Sequence, residues 1–190
     1  VINEIKTDLA KPYSMNRLLQ GDVGSGKTIV SVLATTIAVA NDAQVAIMVP
    51  TEILARQHFE SFKKHSEIAH MTCALLVGGT RVKERRNILN ALEKGQINII
   101  IGTHALIQKD IIFKSLGFCI IDEQHRFGVS QRAELISKGS NPHVLAMTAT
   151  PIPRTLAITY HGDMDLSIID EMPKNRIPVV TKIVNEPRMT

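Results

Sequence analysis

Along the chain, short runs rich in β-branched and other apolar residues alternate with longer stretches whose apolar positions recur every three or four residues. The runs Arg17–Gln20, Val45–Val49, Cys73–Val77, Ile97–Ile101, Phe118–Ile121 and Val144–Met147 predict strands, and several are apolar without interruption. A half-exposed strand alternates; an uninterrupted run is how a strand covered on both faces reads. The stretches Lys27–Ala40, Glu52–His65, Val82–Lys94 and Gln131–Lys138 predict helices, and the opening residues VINEIKTDLAK share the helical pattern. Strand–helix alternation of this kind predicts an α/β fold, with a mostly parallel central sheet and helices on both faces.

No internal repeat or low-complexity tract interrupts that order. The segment Asp170–Pro178, DEMPKNRIP, combines two prolines with mixed charge and reads as a linker. Residues 1–170 are therefore expected to form one domain. Residues 171–190 are expected to be the linker and the start of a further unit, beginning with the apolar run Val179–Val184. With Val1 rather than Met at its start, the chain reads as a fragment of a longer protein.

Composition adds limits rather than direction. The 190 residues are 44% hydrophobic and 21% charged, ordinary for a globular protein. A formal net charge of +4 permits a polyanionic partner without requiring one. No apolar run reaches the ~18 residues of a membrane span, and the start does not read as a secretory signal. Cys73 and Cys119 each sit inside an apolar run. They read as small buried hydrophobes rather than a disulfide or metal pair, which suits a reducing, cytoplasmic setting.

Chemistry enters with GDVGSGKT, Gly21 to Thr28, which fits G-x-x-x-x-G-K-[ST] between a predicted strand and a predicted helix. Glycines at 21, 24 and 26 free the backbone so that N–H groups converge on phosphate oxygens, and the following helix adds its positive end. Gly21, Asp22, Val23, Gly24, Ser25, Gly26, Lys27 and Thr28 are the candidate nucleotide-binding residues. Lys27 would reach the terminal phosphates, and the Thr28 hydroxyl would ligate Mg²⁺. A second signal is the strand end FCIIDEQHRFG, where Asp122 and Glu123 stand side by side. Like charges so placed repel unless a cation lies near. The phosphate loop supplies the reason: Asp122 would approach the Mg²⁺, and Glu123 would polarise a water for attack on the terminal phosphate.

Loops after other predicted strands emerge on the same sheet edge. They hold Pro50-Thr51-Glu52 with Arg56 and Gln57, then Gly78-Gly79, then Thr103-His104. Backbone amides, hydroxyls and basic side chains there can bind phosphates without reading sequence. Aromatic content of 4% with no Trp argues against base stacking as the main mode. The run Arg81–Arg86, RVKERR, reads as a solvated helix face. His58, His65, His70, His143 and His161 form no metal-site spacing.

GDVGSGKT, PTEILARQH, GTHALIQ, DEQHRFGVSQR and TATPIPRTLA, in that order, resemble the first motor domain of superfamily-two helicases. DEQHRFGVSQR with TATPIPRT narrows the resemblance to the RecG family of ATP-dependent DNA helicases and the related transcription-repair coupling translocases, and DEQH with the run to DLSIIDE favours the RecG family. The likeness runs from about Met15 to the DLSIIDEMPKNR segment. It implies a RecA-like P-loop NTPase fold, ATP and Mg²⁺ as cofactors, and Lys27, Asp122, Glu123, Gln124 and His125 as the catalytic set. Gln124 and His125 would face the cleft. Thr148, Ala149 and Thr150 would couple hydrolysis to DNA movement, with a Thr148–His125 contact expected. Thr51, Glu52, Arg56, Gln57, Gly78, Gly79, Thr103 and His104 would contact DNA.

The implied partners are branched DNA (a junction or fork) and a second motor domain and DNA-binding wedge domain of the same chain, in the bacterial cytoplasm at the nucleoid. The second motor domain would bring the arginine finger, so Arg154 gains no such role, and the fragment alone is expected to be nearly inactive. A transcription-repair coupling translocase is the neighbouring alternative. A P-loop kinase would need an acceptor pocket and an arginine-rich lid, and would leave TATPIPRT unexplained. A nucleotide-gated module without turnover is disfavoured by the intact Lys27, Thr28, Asp122 and Glu123.

Overall fold

The computed structural model describes residues 1–150 and 164–170. Its strands are β1 (Asn16–Gly21), β2 (Gln44–Met48), β3 (Cys73–Leu76), β4 (Ile99–Gly102), β5 (Leu116–Asp122), β6 (His143–Thr148) and β7 (Asp165–Ile169). They form one sheet in the order β3-β4-β2-β5-β6-β1-β7, each neighbouring pair parallel. The helices are α1 (Ile2–Leu9), α2 (Lys27–Val39), α3 (Glu52–Ile68), α4 (Val82–Glu93) and α5 (Val129–Ile136). The expected α/β architecture is therefore present, and the described sheet is parallel throughout. Arg154 and the expected linker residues beyond Asp170 lie outside the described residues.

The uninterrupted apolar runs have the predicted cause. On one face Val45, Ile47, Ile99, Ile101, Phe118, Ile120, Leu145 and Met147 pack with Ile5, Val32, Ala34, Ala38, Ala55 and Phe62 of α1, α2 and α3. On the other, their strand neighbours Ala46, Met48, Ile100, Cys119, Ile121 and Val144 meet Leu92 of α4, Leu135 of α5 and Leu106. Side chains alternate across a strand, so each residue of such a strand needs apolar cover.

Several element bounds differ from expectation, and one strand is new. β4 starts at Ile99, two residues into its apolar run, because the carbonyl of Ile97 is taken by the side chain of buried Gln44 at 2.9 Å. Gln44 also donates to Leu92 O and accepts from the Lys114 and Ser115 amides, so each of its side-chain polar atoms is used in tying β2 to the entries of β4 and β5. α5 starts at Val129, earlier than Gln131, because the Gln131 side chain accepts from the Gly128 N–H at 3.1 Å and closes the first turn. β7 was not expected as a strand. Its inward residue is Ser167, 3% exposed, so the apolar signal points the wrong way.

Ser167 is buried because it meets a charge. Arg17 of β1, 7% exposed, donates through Nε and Nη2 to Asp8 Oδ2 at 2.8 and 2.6 Å, and through Nη1 to Ser167 Oγ at 2.8 Å and Glu4 Oε2 at 3.2 Å. One guanidinium thus fastens α1 and β7 to β1, at the strand that leads into the phosphate loop.

Both cysteines are unpaired, and burial pushes each thiol up to about 12. The thiolate is the reactive form. At pH 8 a thiol reagent is expected to label neither Cys73 nor Cys119 in the folded protein and both after denaturation. Rapid labelling of the native protein would contradict this burial.

Candidate functional site

Strand register sets the site. Leu19 of β1, Met147 of β6 and Asp122 of β5 lie in one row across the sheet, and Met48, Ile121, Gly102 and Leu76 lie in the row next to it. The segments that follow these residues, holding Gly21–Thr28, Thr148–Thr150, Glu123–His125, Thr51–Glu52, Thr103–His104 and Gly78–Gly79, leave from a single edge of the sheet. This is the carboxyl edge, where parallel α/β sheets hold ligands.

β1 ends at Gly21, and the chain turns through Gly24 at φ 81° and Gly26 at φ 101° before entering α2 at Lys27. Both angles lie in the left-handed region that favours glycine. Gly26 is the N-cap residue and has no side chain to cap the helix, so the first amides of α2 are left for a ligand. Lys27 Nζ donates to Gly21 O at 2.6 Å and Asp22 O at 3.0 Å, folded back on its own loop. Beside the loop, a cleft of about 360 Å³ is lined by Gly24, Gly26, Lys27 and Thr28 with Ser61 and His65 of α3.

Asp122 is 9% exposed, and both carboxylate oxygens are engaged. Oδ1 accepts from the Glu123 N–H at 3.0 Å, and Oδ2 lies 2.8 Å from His58 Nε2. Glu123 adopts φ 50°, ψ 49°. That left-handed conformation costs on the order of 1–3 kcal/mol in a residue other than glycine and clusters at functional positions. It turns the chain sharply as it leaves β5. Glu123 Oε2 stands 3.5 Å from His125 Nδ1. Glu123, His125 and Arg126 line a second cleft of about 400 Å³ together with Pro50, Thr51, Leu54, Ala149 and Thr150.

Two expected orientations are not seen. Gln124, expected to face the cleft with His125, is 2% exposed, and its Oε1 accepts from Arg132 Nη1 on α5 at 3.1 Å. The short 3-10 turn Gln124–Arg126 places neighbouring side chains on different sides. The Thr148 hydroxyl lies 2.8 Å from the Thr150 hydroxyl and accepts the Thr150 N–H at 3.1 Å, a local turn bond in place of the expected contact with His125.

At the other end of the edge, Thr51 caps α3, its hydroxyl accepting from the Leu54 N–H at 3.3 Å. Glu52, Arg56, Gln57, Gly78, Gly79 and His104 are exposed. The Gly79 N–H donates to Glu52 Oε1 at 3.2 Å, so this amide is held by a carboxylate of the neighbouring loop. Thr103 is 2% exposed, and its hydroxyl has no partner among the described residues; it faces inward while His104 faces out.

No group of three or more His, Cys, Asp or Glu among the described residues is placed to hold a metal. Mg²⁺ at a phosphate site does not require one, since it keeps waters and takes one or two protein oxygens beside the phosphates. The Asp122 carboxylate and Thr28 hydroxyl are hard-oxygen donors of that kind, so the residues fit.

Residues 3–158 match the DEAD/DEAH box helicase family. The chain belongs to that family. It is 55% identical over 99% of its length to the ATP-dependent DNA helicase RecG of Streptococcus pneumoniae, and 53% identical over 97% to that of Synechocystis. It spans 28% and 22% of those relatives. Among solved structures, RecG bound to a three-way DNA junction superposes with a TM-score of 0.81 at 47% identity, covering 93% of this chain and 24% of that one. The RecA-like architecture of a helicase motor is thus established for this chain. For this DEAD/DEAH member, sequence reasoning gave His58 no role. It sits in the same PTEILARQH stretch as Arg56 and Gln57, and its place on the buried stripe Ala55, His58, Phe62, Ser66 was the available signal.

Proposed function

We propose that residues 1–170 are the first, ATP-binding motor domain of a DNA helicase that couples ATP hydrolysis to remodelling of branched DNA. The observation that carries this reading is the shared carboxyl edge: one end carries the phosphate loop with Asp122 and Glu123, the other carries exposed polar loops on α3 and beyond β3 and β4. The 47% identity to a RecG bound to a three-way DNA junction supports branched DNA as the substrate class.

In this reading the amides of Gly24–Thr28 and the positive end of α2 bind the ATP phosphates. Lys27 leaves the Gly21 and Asp22 carbonyls to reach the β- and γ-phosphates. Asp122 and Thr28 would hold Mg²⁺, which when bound neutralises phosphate charge. Glu123, set by its left-handed backbone, orients the attacking water and accepts its proton as the bond to the γ-phosphate forms and ADP leaves. The cleft shared by His125, Thr150 and Thr51 joins this end to the DNA end, with Thr148–Thr150 as the coupling segment. Glu52 serves the DNA end by bonding the Gly79 amide, beside Arg56, Gln57 and His104. A second motor domain, supplied by the sequence beyond this one, would complete the cleft.

The test is steady-state ATP turnover by the full-length protein with three-way junction, linear single-stranded and linear duplex DNA. Strongest stimulation by the junction is expected. Full stimulation by plain duplex would favour a duplex translocase of the transcription-repair coupling kind, and no stimulation by any DNA would end the helicase reading.

A further inference from the structure

We infer that His58 is a positioning residue for the ATPase site, its Nε2–H holding the Asp122 carboxylate in one orientation at the end of β5. The inference rests on the reading of Asp122 as the Mg²⁺ carboxylate. His58 is 7% exposed and Asp122 9%, and their 2.8 Å contact joins α3 to the end of β5 across 64 positions of sequence.

Chemistry assigns the direction of this bond. His58 Nδ1 is buried without a partner among the described residues, so the ring proton belongs on Nε2, where a carboxylate accepts it. The ring itself is held by α3: His58 packs against Phe62 one turn on, ring centroids 6.4 Å apart, and Phe62 is 1% exposed. With Oδ1 bonded to the Glu123 amide and Oδ2 to His58, both oxygens of the carboxylate are restrained. Its remaining lone pairs are thereby pre-set, and a hydrogen-bonded carboxylate binds a cation without first having to be ordered. A buried histidine that only filled space would not need its nitrogen aimed at the carboxylate that ends β5.

Position along α3 adds a consequence. His58 follows Arg56 and Gln57 directly, and these two face solvent while His58 faces the sheet. The helix that carries the proposed DNA contacts therefore also carries the group that holds the metal-binding acid.

The experiment compares wild type, His58→Leu, His58→Gln and Asp122→Asn in the full-length protein. It measures binding of a fluorescent ATP analogue across a Mg²⁺ titration, and again in EDTA. His58→Leu is expected to raise the half-saturating Mg²⁺ at least about tenfold, the usual scale for loss of a hydrogen bond to a metal ligand, with binding in EDTA unchanged. His58→Gln, whose amide donates, is expected to recover most of that shift. An unchanged Mg²⁺ dependence in both His58 variants, with Asp122→Asn strongly shifted, would overturn the role of His58 alone. An unchanged dependence in Asp122→Asn would overturn the reading of Asp122 beneath it. Equal losses with and without Mg²⁺, accompanied by lower melting in both His58 variants, would reduce His58 to packing and also overturn the inference. If the His58→Leu protein does not fold, His58→Met, which also lacks a donor, carries the test, and an unchanged half-saturating Mg²⁺ in the folded His58→Met protein would overturn the inference.

Discussion

Lys27→Ala is expected to lower ATP turnover by about 10²–10³-fold, the scale found when one preorganised donor is removed from developing charge, while DNA binding stays near that of the parent. Lys27 is the first residue of α2 and the cationic side chain of the phosphate loop. Its ammonium rests on the Gly21 and Asp22 carbonyls at 2.6 and 3.0 Å, so it is already held within the loop that the phosphates would enter. Exchange of these two neutral acceptors for phosphate oxygens replaces weak partners with charged ones, which strengthens the bonds. Removing the side chain forfeits that exchange. The cost to folding is small, because a part-buried carbonyl left by Lys27 can bond water, and such a bond contributes only about 1 kcal/mol net. The proposed DNA end of the edge rests on β2, β3 and β4 and on the Glu52–Gly79 bond, whereas the Lys27 ammonium is bonded to the Gly21 and Asp22 carbonyls at the other end. Turnover assays paired with fluorescence anisotropy on labelled junction DNA check both halves. Equal loss of DNA binding would mean that the two ends of the edge are not separate sites.

What the sequence made legible, and what it hid, follows from the kind of signal involved. The sheet was readable because its strands are covered on both faces, so Val45–Val49 and Phe118–Ile121 are short, uninterrupted apolar runs set between helical stretches. The phosphate loop was readable because Gly24 and Gly26 occupy backbone angles that favour glycine. β7 was hidden because its inward residue is a serine that answers a guanidinium rather than the core. The orientation of Gln124 was hidden because a 3-10 turn does not keep the helical period, and because its partner Arg132 comes from the next helix. His58 was hidden because its partner is 64 residues away and belongs to a different motif. Local patterns report periodicity and backbone freedom. They do not report which polar side chain a distant element will bring to meet them.

The buried guanidinium of Arg17 yields the largest expected loss of stability. Arg17→Leu leaves Asp8, 4% exposed, with Lys11 at 2.7 Å as its remaining cationic partner, and deprives Ser167 of the donor that holds β7. Breaking one side of a buried pair costs about 3–5 kcal/mol, whereas replacing both partners with apolar groups is often near neutral. The midpoint of thermal unfolding is therefore expected to fall by on the order of 10 °C, and the double change Arg17→Leu, Asp8→Leu to recover most of the loss.

Acid supplies an independent check. Burial alone would raise the Asp8 carboxyl, but hydrogen bonds from Lys11 and Arg17 outweigh it and hold the group below its ordinary range; the bond from Ser167 leads the same lowering at Glu4. A carboxyl lowered in the folded state stabilises above its unfolded value, about 4, and loses that contribution as pH falls through its folded value. The deficit of Arg17→Leu against wild type should therefore be full at pH 7 and shrink below about pH 4, where protonation removes the stranded charge in the variant and the ion pair in the parent. Denaturant midpoints at pH 7 and pH 3 measure both. A deficit independent of pH would assign the loss to packing of the arginine stem rather than to its charge. Because Gly21, the first residue of the phosphate loop, pairs with Ile169 of β7, a variant that loosens β7 should also weaken nucleotide binding before it unfolds. The charge cluster at the start of β1 is in this way part of what holds the proposed ATP loop at its end.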